Sequence, residues 1–424
     1  MDKILNAPYD VRGELPKIAN QMEKNGKKII YCNIGNPLAL EPEPIYKYRE
    51  FLSNQLIEDS KKNICKVDIG AYSPSAGFPA VIKSVQTFIN KRDNCNTQDN
   101  EINYLTNGAT EAIQTILKVY LWNENDVILL PRPAYPIYHA YADVFGASVE
   151  YYDLDENWKI NLSSIVEKIN HNKKSNKKIV LMVIINPNNP TGSILSYNQL
   201  NNVAKIAEKE QIPLISDEVY MENDLENRFI SMRKVVIENK INIKLFSLHS
   251  CSKGFIGECG FRGGYLNNLN LTQKEKDVIE KYLSMRLSPN SMGQLVMYAM
   301  TSLYDTEEVI NQINQKKEKY KQKLNFLYKE LNNIGYKCIR PEGAMYIFPK
   351  IPLNDRINKI ALEENREYDF IWCREFLKEH NICVIPGSGF RKPGYFRMTI
   401  LPKLEDLHYF IDCLKKFTPM KHVG

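Results

Sequence analysis

An α/β fold with a largely parallel sheet is the architecture this sequence predicts, on three observations. From about residue 100, short apolar runs alternate with amphipathic stretches, the rhythm of strands joined by helical crossovers. One run, 179–186 (IVLMVIIN), is almost continuously apolar, as expected of a strand covered on both faces. After residue 300 the rhythm changes to a long Lys-rich helix followed by short strands and helices, which predicts a second, smaller α+β domain. A chain of 424 residues is too long for one small core and suits one large and one smaller domain.

Taken in order, residues 102–107 read as strand, 109–121 as helix, 127–130 as strand and 148–154 as an alternating strand. The run 179–186 is followed by an amphipathic helix at 197–209, and 213–216, 244–250 and 263–266 are further strands. In 311–331 (NQINQKKEKYKQKLNFLYKEL) the charges predict a solvated face, with Ile, Leu, Phe and Tyr toward the core. Strands near 337–339, 345–348 and 397–400, and helices near 369–379 and 404–417, complete the smaller domain. Residues 1–45 read as irregular and are expected to pack on the small domain or on a partner subunit. Residues 46–300 then form the large domain and 301–424 the small one.

Composition removes several function classes. Hydrophobic residues at 43% and charged residues at 25% are ordinary for a globular protein. The net charge of +6 is spread along the chain, too diffuse to predict nucleic acid or an acidic membrane as partner. Nine cysteines form no CxxC pair and have no His cluster beside them, so no metal site is expected and a reducing compartment is. The start, Met1-Asp2-Lys3-Ile4-Leu5-Asn6, has no basic region followed by an apolar stretch. No run reaches the roughly eighteen apolar residues of a membrane span. A cytoplasmic location is the expectation.

Candidate ligand-binding residues gather where strands end, which is where ligands bind in such folds. Lys253 sits in Ser250-Cys251-Ser252-Lys253-Gly254, on a loop after an apolar run. It is either a solvated loop lysine or an amine placed to form an imine with a carbonyl cofactor, with Arg262 as a phosphate partner. Gly108-Ala109-Thr110 opens a helix, either as a capped turn or as a phosphate cradle of free N–H groups. Asn186-Pro187-Asn188-Asn189-Pro190-Thr191-Gly192 is a rigid turn in which Asn189 either bonds its own loop or offers its amide to a ligand. Asp217, in Asp217-Glu218-Val219-Tyr220, either caps the next segment or acts as a functional carboxylate, with Tyr220 packed or bonded to the same ligand. Tyr135, framed by Pro133 and Pro136, could stack on a planar ring. Arg397, inside the apolar run Tyr395–Ile400, suits either an internal ion pair or bidentate recognition of a carboxylate.

Together these stretches resemble the fold-type I pyridoxal-phosphate aminotransferases, most of all the alanine aminotransferases. The resemblance is carried by GAYSPSAG (70–77), NPNNPTG (186–192), DEVY (217–220), SCSKGFIGECGFRGGY (250–265), GAMYIFP (343–349), ICVIPGSGF (382–390) and FRMTILP (396–402). It implies pyridoxal 5'-phosphate bound as an imine on Lys253, which would also carry a proton between the substrate α-carbon and the cofactor. It further implies Asp217 against the ring nitrogen, Asn189 and Tyr220 on the phenolic oxygen, and Tyr135 on the ring face. The backbone of Ala109, Thr110, Ser250 and Arg262 would hold the phosphate, joined by Tyr72 of a neighbouring subunit, so a homodimer is implied. Arg397, with the Gly35 backbone and Asn189, would take the substrate α-carboxylate.

The activity implied is transfer of an amino group between L-alanine and 2-oxoglutarate, giving pyruvate and L-glutamate by a ping-pong cycle. Aspartate or aromatic amino acid transamination, β-elimination in the same fold, and a regulatory cofactor-binding role are the rivals. Asn33-Ile34-Gly35-Asn36-Pro37 follows the general family, where the alanine subgroup usually has an acidic residue after the Gly. Arg286 is either a second carboxylate reader or a helix-end arginine in an ion pair.

Overall fold

A computed structural model describes residues 2–5, 7–9 and 13–417. Its centre is a seven-stranded sheet: β1 (Ile102–Thr106), β2 (Asp126–Arg132), β3 (Ser148–Asp153), β4 (Lys178–Ile185), β5 (Leu214–Asp217), β6 (Leu245–Ser250) and β7 (Gly264–Leu269). The order across the sheet is β1-β7-β6-β5-β4-β2-β3. Only β7 runs against the rest, paired antiparallel to both β1 and β6. The predicted α/β class and mostly parallel sheet are what the molecule has.

The apolar strands are double-sided because helices cover both faces. Ile128, Leu130, Leu181 and Val183 enter one core, with Ile113, Ile116 and Leu117 of helix Ala109–Tyr120. Their neighbours Val127, Leu129, Met182 and Ile184 enter the other, with Leu200 and Val203 of helix Tyr197–Glu210. This is the two-residue period of a strand.

The sheet brings chain segments distant in sequence to one edge. The carboxyl ends of β1, β2, β4, β5 and β6 all point there, so the turns after them are neighbours. Because β7 is reversed, its amino end lies at the same edge, which delivers Arg262 from the other direction. Facing this edge is a three-stranded sheet in which Phe396–Thr399 pairs with Ile385–Pro386 and with Tyr346–Ile347.

Three sequence expectations change. Residues 337–339 form no strand; they run extended, and the Lys337 carbonyl accepts one bond from Lys350 N. The first 45 residues contain ordered elements: helix Glu14–Lys24, and a short strand Ile30–Tyr31 parallel to Ile382–Cys383. That strand was invisible because two residues carry no period. The long helix, Glu307–Asn333, is not a simple solvated stripe, because Lys316 and Lys323 are buried. Lys316 Nζ donates to the carbonyls of Glu43 and Phe255, and Lys323 Nζ to Glu41 and the Leu401 carbonyl. No helix among the described residues is long and apolar enough to cross a membrane.

Lys323→Met breaks a largely buried pair and leaves Glu41 without its cation. A loss of about 3–5 kcal/mol is expected in urea unfolding. The exposed Lys329→Met on the same helix should stay within about 0.5 kcal/mol of wild type.

Candidate active site

Helix Ala109–Tyr120 begins at Gly108, whose φ of +76 suits glycine. A Cβ on Gly108 would lie 2.6 Å from Arg262 Nη2, so the missing side chain is what lets the guanidinium lie over the helix start. Arg262 is fixed there by bonds to the carbonyls of Cys259 (2.9 Å) and Asn107 (3.3 Å). Ser250, buried at the end of β6, accepts the Ser252 N–H at 3.3 Å. Ala109 and Thr110 open the helix, where backbone N–H groups lack intrahelical partners. A guanidinium over such a start is a cradle for a phosphate.

Asp217 closes β5 and is 4% exposed. Its Oδ2 accepts the Tyr138 hydroxyl at 2.8 Å and its Oδ1 the Val219 N–H at 3.2 Å. No cation pairs with it among the described residues. Burial pushes its carboxyl up to about 6, against the pull of those two donors.

Arg397 has the opposite problem. It is 1% exposed, and no carboxylate pairs with it among the described residues, which removes the internal ion-pair reading. Nη1 donates to Asn189 Oδ1 (2.9 Å) and Nη2 to the Asn33 carbonyl (2.7 Å), while Nε is buried with no partner among the described residues. The rings of Tyr346 and Phe390 lie 4.1 and 4.9 Å from the guanidinium carbon.

Asn189 links the two charged regions. It accepts from Arg397, and its Nδ2 donates to the Tyr220 hydroxyl at 3.4 Å. Tyr220 in turn meets the Tyr346 hydroxyl at 3.1 Å. Lys253 Nζ reaches across to donate to the Gly35 carbonyl. Tyr135 stands at the end of its stiff loop, its hydroxyl 2.7 Å from that of Tyr9.

Gly35 packs against the Tyr346 hydroxyl, where a Cβ would clash, so Lys253, Gly35, Asn189, Tyr220 and Arg397 are joined through Tyr346 or direct bonds, with Asp217, Tyr135 and the Gly108–Arg262 cradle at the same sheet edge. Tyr72 stands apart, 78% exposed, beside a hollow of about 690 Å³ lined in part by Gln55, Leu56, Pro289 and Met292. Arg286 forms an ion pair with Glu111 and bonds the Ser75 and Leu105 carbonyls (3.1 and 2.6 Å), so it is no free carboxylate reader within this chain.

Three contributors had no role in the sequence reading. Tyr138 lies three residues after Tyr135, and Tyr346 lies within GAMYIFP. Asn33 acts through its carbonyl, which no side-chain pattern reveals.

The donor set fits pyridoxal phosphate on this structure's own features. A phosphate would find the glycine-cleared cradle, a protonated ring nitrogen the unpaired Asp217, a phenolic oxygen Asn189 and Tyr220, and a carbonyl carbon Lys253. The unpaired Arg397 is left for a carboxylate.

Comparison with known proteins gives the same direction. The family described as "Aminotransferase class I and II" matches residues 45–414. A probable mitochondrial alanine aminotransferase of Dictyostelium discoideum is 35% identical, over 95% of this chain and 84% of its own. Glutamate–glyoxylate aminotransferase 2 of Arabidopsis thaliana is 33% identical, over 98% and 94%. Among solved structures, an alanine aminotransferase from Pyrococcus furiosus superposes with a TM-score of 0.84 at 26% identity, covering 98% of both chains.

Asp217 sets a pH signature for the ligand-free protein. Its carboxyl is raised from 3.8 to about 6, so the folded state keeps a proton that the unfolded chain releases. Stability is therefore lost as pH rises through that window. Asp217→Asn should stabilise the ligand-free protein at pH 7.5 by up to about 3 kcal/mol, with little gain at pH 3.5, in melting curves at the two pH values. The same variant should bind the cofactor more weakly.

Proposed function

The chain belongs to the class I and II aminotransferases and is a pyridoxal-phosphate-dependent transaminase, and from that premise we propose that it moves an amino group between L-alanine and 2-oxoglutarate. The observation that carries the amino-acid reading is Arg397, a buried guanidinium with an unpaired Nε and no carboxylate of its own chain. An α-carboxylate is the anion it lacks, and a planar fork takes it bidentately. Relatives named for alanine and for glutamate–glyoxylate transamination support small 2-oxo acids and glutamate as the substrate pair.

When bound, pyridoxal phosphate supplies the electron sink that stabilises a carbanion at the substrate α-carbon. The residues proposed to hold it are the Ala109 backbone, Thr110, Ser250 and Arg262 at the phosphate, Asp217 at the ring nitrogen, Asn189 and Tyr220 at the phenolic oxygen, and Tyr135 on the ring face. Lys253 would be the catalytic residue: it would hold the cofactor at its carbonyl carbon, and its Nζ would carry a proton at the substrate α-carbon. Its bond to the Gly35 carbonyl supports a lysine aimed at the place where Arg397 and the 33–35 segment would seat a substrate. Tyr138, through its bond to Asp217 Oδ2, would hold the orientation of the carboxylate that is to meet the ring nitrogen.

A homodimer belongs to the same proposal. Its support is the hollow beside Tyr72, whose rim includes the exposed Leu56, with the exposed Ile57 and Leu287 next in sequence to lining residues. A second subunit covering that rim would bring Tyr72 to the neighbouring phosphate. A reducing, cytoplasmic setting is also proposed, supported by nine cysteines that are all free.

Purified protein supplied with cofactor, L-alanine and 2-oxoglutarate is expected to produce pyruvate and glutamate. Faster turnover of aspartate, an aromatic amino acid or a β-substituted substrate would replace the alanine assignment; preference for glyoxylate would favour the glutamate–glyoxylate activity. Borohydride should fix the cofactor to wild type and not to Lys253→Ala. Arg397→Lys keeps the charge but loses the fork, so KM for amino donors should rise about tenfold to a hundredfold, equivalent to about 1.4–2.8 kcal/mol.

A further inference from the structure

The chain beyond Tyr220 turns back beneath the loop that carries Lys253. Met221–Asn223 is one 3-10 turn. Asn223, fully buried, accepts the Gly254 N–H on its Oδ1 at 2.8 Å. Beside it, the Glu222 carboxylate packs on the Cα of Gly254, which stands at φ +66, and any Cβ there would run into Oε2. The residue immediately after Lys253 is therefore gripped by two consecutive side chains.

On its other side Glu222 faces His249, with Oε1 4.0 Å from Nε2. His249 is fully buried, and its Nδ1 lies 2.9 Å from the Glu218 carbonyl. A carbonyl only accepts, so the ring proton is on Nδ1 and Nε2 presents a lone pair. Nε2 has no partner among the described residues. Burial keeps the imidazole neutral, with its pKa lowered to about 3.

At 4.0 Å the two are too far apart to share a hydrogen bond, but near enough that a negative charge on Glu222 faces the Nε2 lone pair. Glu222 is 22% exposed, and burial pushes its carboxyl up to about 7. None of the other ionisable groups around it offers Glu222 a free counter-charge. Tyr48, from helix Tyr46–Ile57, and Tyr265 of β7 both have their hydroxyls held neutral by burial. Arg92, behind His249, is committed to Asp93 and Glu218. Lys253 points away, to Gly35.

We propose that Glu222 is a positioning residue for Lys253: as the neutral acid it fits between the Cα of Gly254 and the lone pair of His249, and on ionising it pushes the Lys253-Gly254 turn out of register. An anion there meets a lone pair with no cation beside it among the described residues, and the contact it strains is the close one with Gly254. The role of Lys253 rests on the aminotransferase reading; the grip on Gly254 does not.

Glu222→Gln keeps the shape and offers an N–H to His249 but cannot ionise. In ligand-free protein, melting temperature should fall more steeply from pH 5 to pH 7.5 in wild type than in E222Q, because only wild type carries a raised carboxyl at this position and loses that stability as pH rises through about 7. In cofactor-loaded protein, the rate constant for reaction of excess L-alanine should fall above pH 7 by about tenfold per pH unit in wild type and stay level in E222Q, with KM for alanine unaffected. The fraction of cofactor that borohydride fixes to Lys253 should follow the same two profiles. Identical melting slopes and identical high-pH limbs in the two proteins would overturn the proposal. Should E222Q not fold, Glu222→Asp draws the carboxyl back from Gly254, and undiminished borohydride fixation at pH 6 would overturn it equally. A protein inert toward alanine that still shows the melting and fixation differences would count against the substrate assignment while supporting the role of Glu222.

Discussion

Arg397 and Asp217 are buried charges of opposite sign that do not meet. Taking either ion out of water without a counter-ion costs several kcal/mol. The chain offsets part of this cost with neutral groups. Asn189, the Asn33 carbonyl and two aromatic faces attend the guanidinium, and Tyr138 and the Val219 N–H attend the carboxylate. The remainder is left for ligands. A cofactor with a protonated ring nitrogen and a substrate with a carboxylate would each supply a missing partner, so binding and stability are coupled here by mass action.

Such a site needs a rigid frame, or the charges would turn outward to water. The frame is the double-sided sheet. Neighbouring residues of β2 and β4 enter separate cores, which leaves the strands no freedom to slide without exposing both. The reversal of β7 adds an amino end to six carboxyl ends at one edge, placing Arg262 over Gly108 across more than 150 residues of sequence. Lys316 and Lys323 tie residues 41–43 to the Lys253 loop and to Leu401, just past the strand of Arg397. They look like ordinary surface lysines in a Lys-rich helix, and only the carbonyls that close around them reveal otherwise.

The legible part of the sequence follows from local rules. The strands of the main sheet lie within two or three residues of their predicted bounds, because apolar runs flanked by turn residues leave little choice. Asn189, Asp217, Lys253 and Arg262 could be picked out since polar residues at the ends of buried strands are costly unless used. Residues 337–339 misled because a short extended stretch is not a strand until another strand pairs with it. Residues 30–31 escaped for the converse reason, since a pair of residues has no period.

By itself the sequence determined the fold class, the order of its main elements, the identity of the ring of polar side chains at the strand ends and the family they resemble. Tertiary structure alone decided which charges stay unpaired. Arg397 could have met an acid and did not, whereas Arg286 met Glu111. It also decided that Tyr138 bonds Asp217, that the Gly35 carbonyl receives Lys253, and that Glu222 closes on Gly254. The physical reason is that sequence rules act over a few residues, through period, turn and capping. Pairing, desolvation and close approach are set by groups brought together from residues hundreds of positions apart.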